Sequence, residues 1–207
     1  TFHWDDGSAN TVVNKPVSPL TATHSYTAAG VYSLMVTVTD GSGNLASQIF
    51  QYVVIYDPSA GFVTGGGWIH SAAGAYVPNP TLTGKANFGF TSKYKKGMTV
   101  PTGETEFQFQ VGSLKFHSTS YEWLVVSGAK GQYKGSGTIN GTGQYGFLLT
   151  ATDGQIAGGG GTDKFRIKIW DKNAGDVVVY DNAAGSDGIS GSPTQAIAGG
   201  SIVIHNK

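Results

Sequence analysis

Apolar and polar side chains alternate one for one along the strongest patterned stretches of this chain, and no stretch repeats at helical spacing. Period-two alternation puts successive side chains on opposite faces of an extended backbone, so one face buries and the other meets water. Between Val31 and Thr39, Tyr32, Leu34, Val36 and Val38 share one face, and Ser33, Met35, Thr37 and Thr39 share the other. Between Thr105 and Val111, Thr105, Phe107, Phe109 and Val111 oppose Glu106, Gln108 and Gln110. Phe165, Ile167 and Ile169 are expected to be buried, with Arg166, Lys168 and Trp170 pointing outwards. Such strands belong to antiparallel sheets with one wet face.

Turn chemistry separates these runs. Asn140-Gly141 lies between a run ending at Ile139 and one continuing through Tyr145, Phe147 and Leu149. That dipeptide supplies the two positive φ angles of a type I′ hairpin turn. Asp171 to Asp176 and Asp40-Gly41-Ser42-Gly43 predict two further turns. Asp57-Pro58-Ser59-Ala60-Gly61 follows an apolar run ending at Ile55-Tyr56, and proline cannot continue a sheet ladder. The boundary is placed there, giving domains 1–57 and 58–207.

Composition narrows the class of molecule. The chain has 207 residues with 32 Gly, 12% aromatic and 13% charged residues, which suits strands joined by tight turns and argues against disorder. Thirteen basic residues balance thirteen acidic ones, so no global field directs it towards nucleic acid. Residues 1–57 carry −3 and the remainder +3, a mild contrast that could favour head-to-tail contact between copies. There is no cysteine. That absence, with much Thr, Ser, Asn and Gly, points to a bacterial surface protein. No apolar stretch reaches the roughly 18 residues of a membrane span, and no signal peptide is present. The start at Thr1, without Met, is expected of a processed or excised piece.

The first segment resembles a PKD domain, an Ig-like sandwich of bacterial extracellular proteins. The resemblance is carried by His24-Ser25-Tyr26, Gly30, Tyr32, Val36, Val38, Asp40 and Gly43, and by Phe2-His3-Trp4-Asp5-Asp6-Gly7, which is similar to the family's tryptophan strand and acidic turn. The family has strands before that tryptophan, so the resemblance implies that the opening strands are missing. Gly61 to His205 resembles the domain that follows PKD repeats in secreted bacterial proteins. Gly61-Phe62-Val63-Thr64-Gly65-Gly66-Gly67-Trp68-Ile69, Gly84-Lys85-Ala86-Asn87-Phe88-Gly89-Phe90, Tyr94-Lys95-Lys96-Gly97, Phe116–Trp123, Asp163–Asp171 and Gly199–His205 carry that likeness. The expected fold class is all-β: two antiparallel β-sandwich domains, the first Ig-like and lacking its opening strands, the second a larger Gly-rich sandwich.

Candidate chemistry is sparse. Gly158–Arg166 fits one unit of a calcium β-roll, a fold that needs tandem copies. A single calcium ion held by Asp153 and Asp163, flanking the glycine-rich loop, is the better metal reading; a loop whose aspartates bond local N–H groups is its alternative. Asp171–Asp176 lacks an oxygen ligand at Gly175 and reads as a turn. Glu104, Glu106 and Glu122 are the only glutamates, and Glu104 and Glu106 share one face, expected to pair with Arg166 and Lys168 across a sheet. The five histidines show no metal spacing, and nothing marks a nucleophile elbow. The expectation is no enzyme.

Two functions stand. One is a structural or adhesive module of a secreted or surface protein, a fibre or matrix subunit assembled through strand edges, with Ile202, Val203 and Ile204 as an assembly edge. The other is a carbohydrate-binding appendage of a secreted hydrolase, with Trp170, Arg166, Lys168 and Tyr94 touching the glycan. Partners expected are other copies, an upstream part of the same protein or a polysaccharide, with no nucleic acid and no membrane insertion. Asn140-Gly141-Thr142 also matches a glycosylation acceptor.

Overall fold

The computed structural model describes residues 1–15, 18–183 and 193–206. The chain is all-β and antiparallel throughout. It divides into two compact units after Ile55, two residues before the break expected at Asp57-Pro58.

The first unit is one three-stranded sheet: β1 (Phe2–His3), β2 (Gly30–Thr39) and β3 (Leu45–Ile55), in that order. No second sheet faces it among the described residues, so the expected sandwich is here a single layer. Its core is a ladder of rings. Phe2 stacks on Trp4, Trp4 on His24 at 4.5 Å, His24 meets Tyr26 edge-on, and Tyr26 stacks on Tyr32 at 4.4 Å. The Trp4 indole N–H donates to Thr11 Oγ1, which satisfies its one polar atom in a 6% exposed position. Asp6 accepts from the Ser8 hydroxyl and pairs with His24 at 2.7 Å. Together these bonds draw the Asp6 carboxyl down to about 2.

The second unit is one continuous sheet of nine strands. In spatial order they are β11 (Val177–Asp181), β10 (Lys164–Asp171), β9 (Thr142–Thr152), β8 (Lys130–Ile139), β7 (Leu114–Ser127), β6 (Thr102–Phe109), β5 (Gly84–Lys93), β4 (Gly61–Ser71) and β12 (Gly199–Asn206). The sheet folds back on itself, because Phe88 of β5 stacks on Phe165 of β10 at 4.1 Å. A twisted sheet this wide curls so that its own apolar face is buried. Phe107, Phe109, Phe116, Phe147, Phe165, Ile167, Ile169, Tyr133 and Tyr180 fill the enclosed space with no side-chain exposure.

The alternation read from sequence places these residues. Thr105, Phe107 and Phe109 point inwards, but Val111 does not follow them. β6 stops at Phe109, a 3-10 turn takes Gln110–Gly112, and Val111 is 53% exposed. Inside the core, Thr105 Oγ1 lies 2.8 Å from the Tyr121 hydroxyl and 2.9 Å from that of Tyr133, so the buried hydroxyls satisfy one another. The turn at Asn140-Gly141 has φ of 52° and 77°, the pair of positive values that a two-residue type I′ turn requires. At Asp171–Asp176 the Asp171 carboxylate accepts from the Asn173 N–H in a 3-10 turn, which is a hairpin link.

Candidate functional site

The two units differ in how their strand edges end. In the first, β3 is an edge strand, and its residues Leu45–Gln51 are all exposed. Leu45 is 70% exposed and Phe50 62%, with Ile49 also open. No strand pairs with the outer side of β3 among the described residues. At the opposite side, β1 pairs only Phe2 and His3 with Val36 and Met35. A groove of about 890 Å³ opens there, walled by Phe2, Val12, Val13, Leu20, Val36 and Val38.

In the second unit both outer strands are occupied. β11 is covered by the segment before β5: Val77 N–H donates to Val179 O, and Asp181 N–H to Ala75 O. β12 is covered by carboxylates. Asp163 accepts from the Ile202 N–H at 2.7 Å and from the Gly154 N–H at 2.8 Å. Asp153 accepts from the Ile204 N–H at 3.0 Å and the Gln155 N–H at 2.9 Å. Both aspartates are buried. Each carboxylate oxygen therefore already holds one main-chain donor.

This arrangement corrects one expectation and gives the two aspartates a role. Ile202 and Ile204 are not a free assembly edge, because both side chains are in the core and both amides are taken; only Val203 is exposed, as the alternate residue of the strand. Asp153 and Asp163 hold β12 to the loop after β9, the alternative to the calcium reading.

Trp170, Arg166 and Lys168 lie on the face turned away from the aromatic core, where alternation put them, but that face is not open at Trp170. The indole is 8% exposed. It lies across Gly146, where a Cβ would overlap the ring. Arg166 is likewise buried, in a two-pronged pair with Asp181: Nε donates at 3.0 Å and Nη2 at 2.8 Å. Lys168 stands opposite Asp181 in the β10–β11 register. Tyr94 is half-buried and stacked on Tyr56 at 5.3 Å. Its hydroxyl donates to Leu124 O and accepts from Leu124 N–H, and burial pushes it up to about 12. Trp170, Arg166 and Tyr94 are thus packed or bonded groups rather than an exposed platform for a sugar ring.

Glu104 and Glu106 do not meet Arg166 or Lys168. The β6–β7 hairpin sets Glu106 opposite His117, with the imidazole Nδ1 3.5 Å from a carboxylate oxygen. Glu104, Glu106 and His117 offer ligand atoms within 4.8 Å of one another on the solvent side. The short link between β6 and β7 was the signal for that pairing, since hairpin length fixes which residues face each other. No protein-family model, curated protein or solved structure matches the chain.

Proposed function

We propose that the chain is a non-catalytic structural module of an extracellular assembly, and that copies join through the open strand of the first unit. The observation that carries this reading is the contrast in edges: β3 offers an unpaired side with Leu45, Ile49 and Phe50 exposed, whereas β11 and β12 are both covered. A long exposed apolar edge is a template for another strand. A formal net charge of zero lets copies approach without mutual repulsion. The lack of cysteine fits a surface location. The occupant is a strand of a second copy.

Light scattering and negative-stain microscopy over a concentration series test it. Concentration-dependent particles that vanish in Ile49→Pro, which removes one ladder donor, support the joint at β3. A monodisperse monomer at every concentration overturns it.

A further inference from the structure

On the outer face of the second unit, side chains form rows across β7, β8, β9 and β10. One row runs Val125, Gln132, Thr150, Arg166, and the next runs Ser127, Lys130, Thr152, Lys164. In the first row the Thr150 hydroxyl receives the Gln132 amide at 3.0 Å. In the second row a lysine replaces that glutamine, and the Thr152 hydroxyl, in a residue 7% exposed, has no partner.

Thr152 lines a pocket of about 300 Å³ with Ser127, Ala129, Lys130, Gly158, Gly159, Lys164 and Pro193. Two lysines and two hydroxyl residues are among the lining, and no acidic residue is among the described ones. Adjacent strands stand about 4.8 Å apart, so Lys130 and Lys164 flank Thr152 with main chains roughly 10 Å from each other. Burial holds the Lys130 ammonium below the usual lysine range. The buried, unpartnered Thr152 hydroxyl beside Lys164, with Lys130 on its other side, makes a site that an anion with several acceptor oxygens completes.

We propose that the pocket formed by Lys130, Thr152, Lys164 and the Gly158-Gly159 loop binds an oxyanion, either a free inorganic ion or the carboxylate of an acidic sugar. The lysines supply charge and N–H donors, and the threonine and Ser127 hydroxyls donate to the remaining oxygens. At roughly 30 Å³ per water, the volume holds about ten waters, enough for either ligand. The site does not depend on assembly through β3.

The test is thermal stability and calorimetric titration of the full chain at constant ionic strength, with sodium phosphate, sodium sulfate and sodium glucuronate, and sodium chloride as the control. A saturable rise in Tm with at least one oxyanion, absent with chloride, is expected. Lys164→Gln should weaken that binding by about tenfold or more. Thr152→Val should raise the Tm of the free chain, because it removes a buried unpartnered hydroxyl, while shrinking the anion-dependent rise. A merely structural threonine would not move the two readouts in opposite directions. Tighter binding of glucuronate supports a sugar acid as ligand, and tighter binding of phosphate or sulfate supports a free ion. No saturable shift with any of the three, or an equal shift in Lys164→Gln, overturns the proposal.

Discussion

The Asp163 carboxylate accepts the Ile202 main-chain N–H at 2.7 Å, so a side chain from the loop after β9 does for β12 what a tenth strand would do. Asp153 repeats this two residues on, at Ile204. Alternate amides of an outer strand face the same way, which is why two acids suffice for Ile202 and Ile204.

Asp163→Ala should therefore destabilise the second unit by about 2–4 kcal/mol, since it leaves two buried N–H groups without acceptors. Asp153→Ala should behave alike, and denaturant unfolding measures both. Calcium should leave the wild-type midpoint unchanged; a calcium-dependent rise that disappears in Asp163→Ala would restore the metal reading.

Gly146→Ala should cost about 1–3 kcal/mol, the range for forcing extra volume into a packed site. The cause is specific: the new methyl overlaps the Trp170 indole. Quenching of tryptophan fluorescence by a neutral quencher should increase in the variant as that ring is displaced.

Arg166→Met should cost about 3–5 kcal/mol by leaving the Asp181 carboxylate buried beside an apolar group, and Asp181→Leu should cost a similar amount. The double variant should recover most of the loss, because replacing both partners removes the uncompensated charge. Additive losses in the double variant would show that the pair is not the unit that matters.

The two pH limbs should report different units. Asp6 is depressed to about 2, first by the Ser8 hydroxyl and then by His24. A depressed carboxyl stabilises the fold above its ordinary value of 3.8, and that contribution is lost as pH falls through about 2. Asp6→Asn should remove this part of the acid transition, seen in the Trp4 indole N–H resonance.

On the alkaline side, burial raises Tyr180 to about 12, and Tyr94, Tyr121 and Tyr133 also rise. A raised phenol stabilises the fold fully below pH 10 and ceases to do so as pH climbs towards 12. For Tyr180 the loss is roughly 2–3 kcal/mol. Tyrosinate absorbance should appear in one cooperative step with unfolding of the second unit. Gradual titration of all ten tyrosines before unfolding would contradict it.

Much of the strand pattern could be read from local spacing, because period two is a property of neighbouring residues. Phe165, Ile167 and Ile169 are in the core as their alternation required. What alternation cannot supply is the fate of the other face. Trp170 is packed because Gly146 lies beside it across a ladder, and Arg166 pairs with Asp181, which stands opposite Lys168, residues that only the register brings together. Asp153 and Asp163 stood out in the sequence for flanking a glycine-rich loop, but their partners come from a strand some 40 to 50 residues further on. Lys130, Thr152 and Lys164 carried no motif at all, since three adjacent strands place them in one row. In the first unit Trp4, His24, Tyr26 and Tyr32 form a ring ladder that their spacing in the sequence does not announce, and the sequence pattern left open how few strands surround it.

The pairing of β4 with β12 sets a limit on how this protein can be made. Trp68 sits opposite Gly199, so the ladder that encloses the Phe-rich interior joins segments ~130 residues apart, a separation that makes folding slow. Of the strands in this unit β12 leaves the ribosome after the others, and until it arrives Ile202 and Ile204 are missing from the core and Asp153 and Asp163 have no strand to hold. Throughout synthesis the growing sheet exposes phenylalanines that the final strand will cover, so its yield in a cell should depend on holdase chaperones more than its final stability would suggest.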